Sequence, residues 1–227
     1  MNNNNIVLIE GLNVRFPFKP YDVQTRFMGA MIRAFENGEN ALLESPTGTG
    51  KTLSILCSAL AWQENQKQKS QSSLSETTTL PRKQKIKSPQ IIYASRTHSQ
   101  LTQVIKELKA TSYKPNVAIL GSRQQLCVNP EVSKLSSQIA RRNMCDCKVK
   151  ERSCSYYQKA DGFDYFNTQK HNKRDEDHND VETLIRDIED LCSMGKRKNV
   201  CPYYVMRDSV TQDKADIIVM PYNYLIT

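Results

Sequence analysis

At 227 residues, with 38% hydrophobic and 25% charged side chains, the chain holds material for one large domain or two small ones with ample core. Its formal charge of +8 suits a polyanionic partner, and a generally basic surface equally well. No apolar run approaches a membrane span, and Met1-Asn2-Asn3-Asn4-Asn5 lacks the basic-then-apolar pattern of a secretory signal. A reducing compartment is therefore expected, where the seven cysteines read as metal ligands or buried thiols rather than disulfides.

Ile6 to Leu8 and Val14 to Phe16 read as two short strands around the turn Glu10-Gly11-Leu12-Asn13. The prolines at 17 and 20 make the next stretch extended and stiff. Asp22 can start a helix with Phe27, Met28, Met31, Ile32 and Phe35 on its apolar face, ending at Gly38. Gln24 falls in its first turn. A glutamine amide there can read an adenine edge, with Tyr21 stacking on the base.

Ala41 to Leu43 predicts a strand, and Leu53 to Trp62 a helix with Leu53, Leu56, Cys57, Leu60 and Ala61 apolar. Between them lies Ser45-Pro46-Thr47-Gly48-Thr49-Gly50-Lys51-Thr52. A strand, a glycine-containing loop and a helix are the setting of a phosphate-binding loop. Glycines let the backbone bend and leave room for phosphate, and N–H groups at the helix start face the anion. Lys51 would reach the β- and γ-phosphates, and the Thr52 hydroxyl would help to hold Mg²⁺. Ser45 stands where the usual pattern has glycine.

Residues 63–89 are rich in Gln, Lys, Ser and Thr and predict a disordered insertion, including a basic run at 82–87. Order is expected again at Gln90 to Tyr93, a buried strand. The loop Ala94-Ser95-Arg96-Thr97-His98-Ser99-Gln100 then leads into a helix with Leu101, Val104, Ile105 and Leu108 on one face. The repeated strand–loop–helix order predicts a parallel sheet covered by helices, with this loop on the functional edge. Arg96, His98 and the hydroxyls could grip a nucleic-acid backbone, and His98 is equally suited to a structural helix-start role. Val117 to Leu120 predicts a third strand, followed by Gly121-Ser122-Arg123.

Cysteines then fall at 127, 145, 147, 154, 192 and 201 among the basic residues Arg141, Arg142, Lys148, Lys150 and Arg152. Four thiolates could hold Zn²⁺ or an iron–sulfur cluster, and their spacing does not decide between them. Cys192, on a predicted helix with Leu184, Ile185, Ile188 and Leu191, reads as core, as does Cys57. Residues 161–180 read as a second variable insertion. A last strand, Ala215 to Met220, leads into Pro221-Tyr222-Asn223-Tyr224-Leu225.

Several of these stretches together carry a resemblance. They are Phe16-Pro17-Phe18 with Pro20-Tyr21, the phosphate loop with Leu43 and Glu44, Ile91 through Ile105, and Leu120-Gly121-Ser122-Arg123. They continue with Asp187 to Leu191, Val200-Cys201-Pro202-Tyr203-Tyr204, and Ala215-Asp216-Ile217-Ile218 with Met220 to Leu225. On them the chain resembles the iron–sulfur superfamily-two DNA helicases of the xeroderma pigmentosum group D type, over nearly its whole length outside the two insertions. The family's phosphate loop begins Ser-Pro-Thr-Gly, which accounts for Ser45.

The resemblance implies an α/β RecA-like motor domain, a parallel sheet with helices on both faces, carrying an inserted cysteine-rich iron–sulfur domain. Residues 1–122 and 206–227 would belong to the motor and 123–205 to the cluster domain. It implies Cys127, Cys145, Cys154 and Cys201 as ligands of a 4Fe-4S cluster, with Cys147 able to replace Cys145. Gln24 becomes the adenine-reading residue, and Arg96, Thr97 and His98 fall in a DNA-contacting motif. Implied too are ATP with Mg²⁺, DNA single strands and duplex junctions as partner, 5′ to 3′ unwinding, and a nuclear role in repair, replication or telomere maintenance. The family's Asp-Glu-Ala-His box should follow the Pro-Tyr-Asn-Tyr segment, and Thr227 comes first; the expectation is the front part of a helicase, inactive alone. A phosphate-loop ATPase without DNA affinity and a zinc-type nucleic-acid-binding module are the competing classes.

Overall fold

The computed structural model describes residues 5–75, 89–166 and 185–226. They fall into two compact units, one of residues 1–91 with 106–114, the other of 92–105 with 115–227.

The first unit opens with strands β1 (Asn5–Ile9) and β2 (Leu12–Phe16), an antiparallel hairpin in which Val7 faces Val14 and Ile9 faces Leu12. Its two-residue connection, Glu10-Gly11, takes positive φ at both positions, as a turn matching strand twist requires. Period-two alternation buries Ile9, Leu12, Val14 and Phe16 and leaves Ile6 and Leu8 outside. Helix α1 (Asp22–Asn37) buries Gln24, Met28 and Ile32 at four-residue spacing. Gly38, left-handed at φ 67°, ends it as expected, its N–H donating to the Ala34 and Phe35 carbonyls.

Helix α2 (Lys51–Ser75) packs on α1 and β2, with Trp62 and Phe35 ring centroids 5.2 Å apart. Tyr113 joins this core: its hydroxyl accepts from the Arg15 backbone N–H at 3.0 Å, and the Arg15 guanidinium lies 4.2 Å from its ring centroid while pairing with Glu64 at 2.8 Å.

Two expectations fail here. Ala41 to Leu43 is not a strand, and Leu42 is 100% exposed. A strand exists through its partner, and among the described residues the hairpin strands pair only with each other. The predicted disorder at 63–89 does not hold for 63–75, which continue α2. Gln, Lys and Glu are good helix formers, no Gly or Pro interrupts them, and an established helix extends cheaply. Burial of Gln63 and the reach of Lys69 to Glu36 at 3.4 Å tie the extension to the unit. Residues 76–88, with the basic run, lie outside the described residues.

In the second unit β3 (Ile91–Ser95), β4 (Val117–Ile119) and β5 (Ile217–Pro221) form a sheet in the order β3-β5-β4. β4 and β5 are parallel, Val117 facing Ile217. The central β5 is buried at every position, hence its unbroken apolar sequence. Below these strands the Asn116 N–H donates to Asp216 Oδ2 at 2.7 Å, and the Asp216 N–H returns a bond to the Asn116 carbonyl at 2.8 Å.

Helix α3 (His98–Lys109) follows β3 and buries Leu101, Val104, Ile105 and Leu108. Between β4 and β5 come α4 (Arg123–Leu126), α5 (Pro130–Ser133), α6 (Gln138–Lys150), α7 (Ser155–Gln158), α8 (Ile188–Lys198) and α9 (Pro202–Thr211). α8 starts later than predicted. Asp187 caps it by accepting from the Asp190 N–H at 2.9 Å, so Ile185, though buried, precedes the helix; Leu184 lies outside the described residues. Within the second predicted insertion, 167–180 also lie outside them.

Candidate functional site

The first unit carries the phosphate loop. Gly48 and Gly50 take φ of 83° and 74°, the left-handed region in which a Cβ is strained. Their turns bring Ser45 Oγ to 2.6 Å from Thr49 Oγ1, which donates in turn to the Pro46 carbonyl at 2.9 Å. α2 starts at Lys51, so Lys51 and Thr52 occupy the turn whose N–H groups have no intrahelical acceptor. Lys51 Nζ folds back over the loop, donating to the Ser45 and Pro46 carbonyls at 2.7 Å each.

Gln24 comes to the same place from α1. Its Oε1 accepts from the Tyr21 N–H at 2.9 Å and its Nε2 donates to the Thr49 carbonyl at 3.1 Å. Only 3% of its surface is exposed, and a Cβ on Gly50 would stand 2.5 Å from its Nε2. Both ends of the amide are thus engaged, and it ties α1 to the loop. Tyr21 stands 70% exposed, its ring centroid 6.5 Å from that of Phe18.

In the second unit the residues following β3, β4 and β5 face a common hollow of about 600 Å³, lined by Arg96, His98, Gln124, Gln138, Tyr222 and Tyr224 among others. Thr97 is turned to local work: its Oγ1 accepts from the Gln100 N–H at 3.3 Å, while Gln100 Oε1 accepts from the Thr97 N–H at 3.2 Å and from Ser95 Oγ at 2.7 Å. This reciprocal cap begins α3 and carries Arg96 and His98 to the rim.

A second hollow, about 300 Å³, shares Ser122, Gln124, Gln138 and Tyr224 with the first and adds Arg123, Arg141, Arg142, Tyr203 and Arg207. Arg207 lies 3.5 Å and Arg123 4.6 Å from the Tyr203 ring centroid. Arg123 also pairs with Asp146 at 2.7 Å. Burial alone would lower its pKa, yet hydrogen bonds to Cys145 and Tyr204 leave it raised, so it stays a cation. Arg141 Nε and Nη1 are buried with no hydrogen-bond partner among the described residues. Arg207 escaped the sequence reading. Its signal was its position four residues after Tyr203 on one helix face.

The cysteines divide by placement. Cys145, Cys154 and Cys201 are buried and Cys127 half-buried, all free. Electrostatic interactions link Cys127 with Cys145 and Cys154, and Cys201 with Cys127 and Cys154. Each of the four meets a donor: Cys127 the Asn129 backbone N–H, Cys145 the Arg123 side chain, Cys154 the Asn129 Nδ2 at 3.5 Å, and Cys201 the Tyr203 and Tyr204 N–H groups. Burial pushes the Cys201 thiol up to about 12. Cys147 is exposed on α6 and donates to Glu151 at 3.1 Å. Cys192 is half-buried, its thiol donating to the Gln125 carbonyl at 3.0 Å, and Cys57 is in the core. Among the described residues no group of three or more His, Cys, Asp or Glu side chains is placed to hold a metal ion.

Comparison with known proteins supplies the lineage. The chain is 42% identical over 241 aligned positions to the Mus musculus protein named Regulator of telomere elongation helicase 1, covering 97% of this chain and 19% of that protein. It is also 42% identical over 242 positions to the Drosophila melanogaster homolog of that name, covering 96% of this chain and 23% of the homolog. A solved structure titled XPD_Helicase aligns at 20% identity and a TM-score of 0.48, over 91% of this chain and 28% of that one. The chain spans about a fifth of the length of the curated relatives it matches. The DEAD_2 family profile matches residues 93–227, more than half of the sequence, and the chain belongs to that family.

Proposed function

We propose that this chain is the ATP-binding front part of an ATP-dependent 5′ to 3′ DNA helicase. The observation that carries the proposal is the built phosphate loop, with Lys51 held over it and Gln24 fastened beneath, in a chain whose relatives are named helicases. Phosphate offers the Lys51 ammonium a charged acceptor in place of two neutral carbonyls, a change that favours the nucleotide-bound position. The N–H groups at the start of α2 take the β- and γ-phosphate oxygens, and the Thr52 hydroxyl holds Mg²⁺, which when bound neutralises the phosphate charge. Gln24 and Tyr21 serve the adenine. The Gln24 amide would then pass from the Thr49 carbonyl to the base, so nucleotide binding and loop shape are coupled.

The two hollows of the second unit serve a DNA strand. Arg96, His98, Arg142 and Arg207 offer charge to phosphates, the Arg141 N–H groups without a partner among the described residues are open to a phosphate oxygen, and Tyr222 and Tyr224 offer ring faces to bases. The strand and its junction with duplex are the substrate, and the nucleus, with repair, replication or telomere maintenance, is the setting.

Cys127, Cys145, Cys154 and Cys201 would hold a 4Fe-4S cluster. The donor set fits: four free thiols, with Cys127 in electrostatic reach of the other three and Cys154 of Cys201, each with a hydrogen-bond donor at hand. When bound, the cluster supplies a rigid cross-link among α4, α6, α7 and α9 and a centre that can take up an electron. In this reading residues 1–122 and 206–227 form the motor and 123–205 the cluster domain.

The test is made on the full-length protein, purified without oxygen. Iron and sulfide should be present at four per chain, and single-stranded DNA should stimulate ATP hydrolysis. Lys51→Ala should abolish hydrolysis and leave DNA binding in place. Zinc without iron would overturn the cluster, and hydrolysis indifferent to DNA would return the protein to the plain ATPases.

A further inference from the structure

One residue touches two of the four thiols that would carry the cluster. Asn129 is 8% exposed and stands immediately before α5. Its Oδ1 accepts from the Glu131 N–H at 3.0 Å and the Val132 N–H at 3.4 Å, so the carbonyl end of the amide is fixed on the helix start. With that end pinned, the planar amide has one direction left for its nitrogen, and Nδ2 donates to Cys154 Sγ at 3.5 Å. Its backbone N–H meanwhile donates to Cys127 Sγ. The cap and the two N–H···S bonds form one unit, built from the run Cys127-Val128-Asn129-Pro130, with Pro130 holding the first position of α5.

We propose that Asn129 is a positioning residue for the cluster, holding Cys127 and Cys154 through two N–H···S bonds and setting the ease with which the cluster accepts an electron. The inference rests on the cluster reading above. Reduction adds negative charge that spreads onto the thiolate sulfurs, and an N–H aimed at sulfur stabilises the reduced form more than the oxidised one. Removing the side-chain donor therefore lowers the reduction potential. The backbone donor survives any substitution except proline.

Asn129→Ser keeps an oxygen for the cap and loses the N–H towards Cys154. Asn129→Asp keeps the cap and turns an anionic oxygen towards the sulfur. In anaerobically purified full-length protein, a dye-mediated dithionite titration followed by absorbance and electron paramagnetic resonance gives the midpoint potential. The expected order is wild type highest, Ser lower and Asp lowest, at equal iron content. Equal potentials in the three proteins would overturn the proposal, since a purely structural cap is retained in all of them. If Asn129→Ser loses iron on purification, the readout becomes iron retained per chain in Asn129→Asp and Asn129→His, the imidazole pairing an acceptor nitrogen with an N–H donor. Retention in His above Asp supports the role, and equal retention overturns it. Wild-type protein with zinc and no iron would instead sink the cluster reading itself, a distinguishable result.

Discussion

Gly50 and Gly48 share a backbone conformation and differ in their surroundings, which makes them a paired experiment. Alanine at either position must adopt a left-handed φ, at a cost of about 1–2 kcal/mol. Nothing lies within 4 Å of a Cβ on Gly48, so Gly48→Ala should cost that much and no more. At Gly50 the new methyl would meet Gln24 Nε2 at 2.5 Å. The amide must leave the Thr49 carbonyl, and a buried donor or acceptor left unpaired costs about 1–3 kcal/mol. Gly50→Ala should therefore destabilise the first unit by about 2–5 kcal/mol in all. Urea unfolding of this chain reads it well: the one tryptophan, Trp62, packs between α1 and α2 and reports on the first unit. Combining the change with Gln24→Ala removes the obstacle, so Gly50→Ala in that background should cost only what Gly48→Ala costs. Equal effects of the two alanines in the wild-type background, or an undiminished effect in the Gln24→Ala background, would refute the tether between Gln24 and the loop.

Tyr113→Phe removes the acceptor of the Arg15 backbone N–H and should lower the same urea transition by about 1–3 kcal/mol, an unchanged midpoint arguing that the ring alone matters. Burial raises the Cys57 thiol from the ordinary 9.0 to about 12, so the native state holds its proton where the unfolded chain has lost it. That stability is complete below pH 9 and declines as pH rises from about 9 to about 12; Cys57→Ala should flatten the decline in pH-dependent unfolding. Exposed Cys147 should take up iodoacetamide in the native protein while Cys57 resists, as peptide mapping would show. A Cβ on Gly195 would fall 2.5 Å from Pro202 Cγ and 2.9 Å from the Val200 carbonyl, so Gly195→Ala should displace the residue next to Cys201 and, with the cluster proposed above, cost the full-length protein iron, measured by metal analysis.

Much of this was legible because local chemistry and tertiary need agree. The hairpin alternates, α1 runs from Asp22 to the Gly38 stop as its sequence announces, and Ser45 to Thr52 can hardly be anything but a loop ahead of a helix. What was not legible depends on partners. Ala41 to Leu43 has strand composition and lacks a neighbouring edge. Residues 63–75 read as too polar to fold, and they fold by extending a helix already nucleated by Leu53 to Ala61. Asn129 drew no notice in the sequence, since nothing local announces the sulfur at the far end of its amide. Gln24 was read as facing a base, and its bond to the Thr49 carbonyl joins residues 25 positions apart that no periodicity connects.

The clasp between Asn116 and Asp216 has a consequence for how the chain reaches its fold. These residues lie 100 positions apart, and joining them closes a loop that holds all the cysteines but Cys57. Closure entropy grows only with the logarithm of loop length, so doubling it adds about 0.6 kcal/mol. The kinetic toll is heavier: β5, the centre strand of these three, is synthesised after both its neighbours and cannot pair with β4 until that long loop closes. Until then β4 and β3 await their common neighbour, and slow closure is when this unit is most exposed to pairing with the wrong strand.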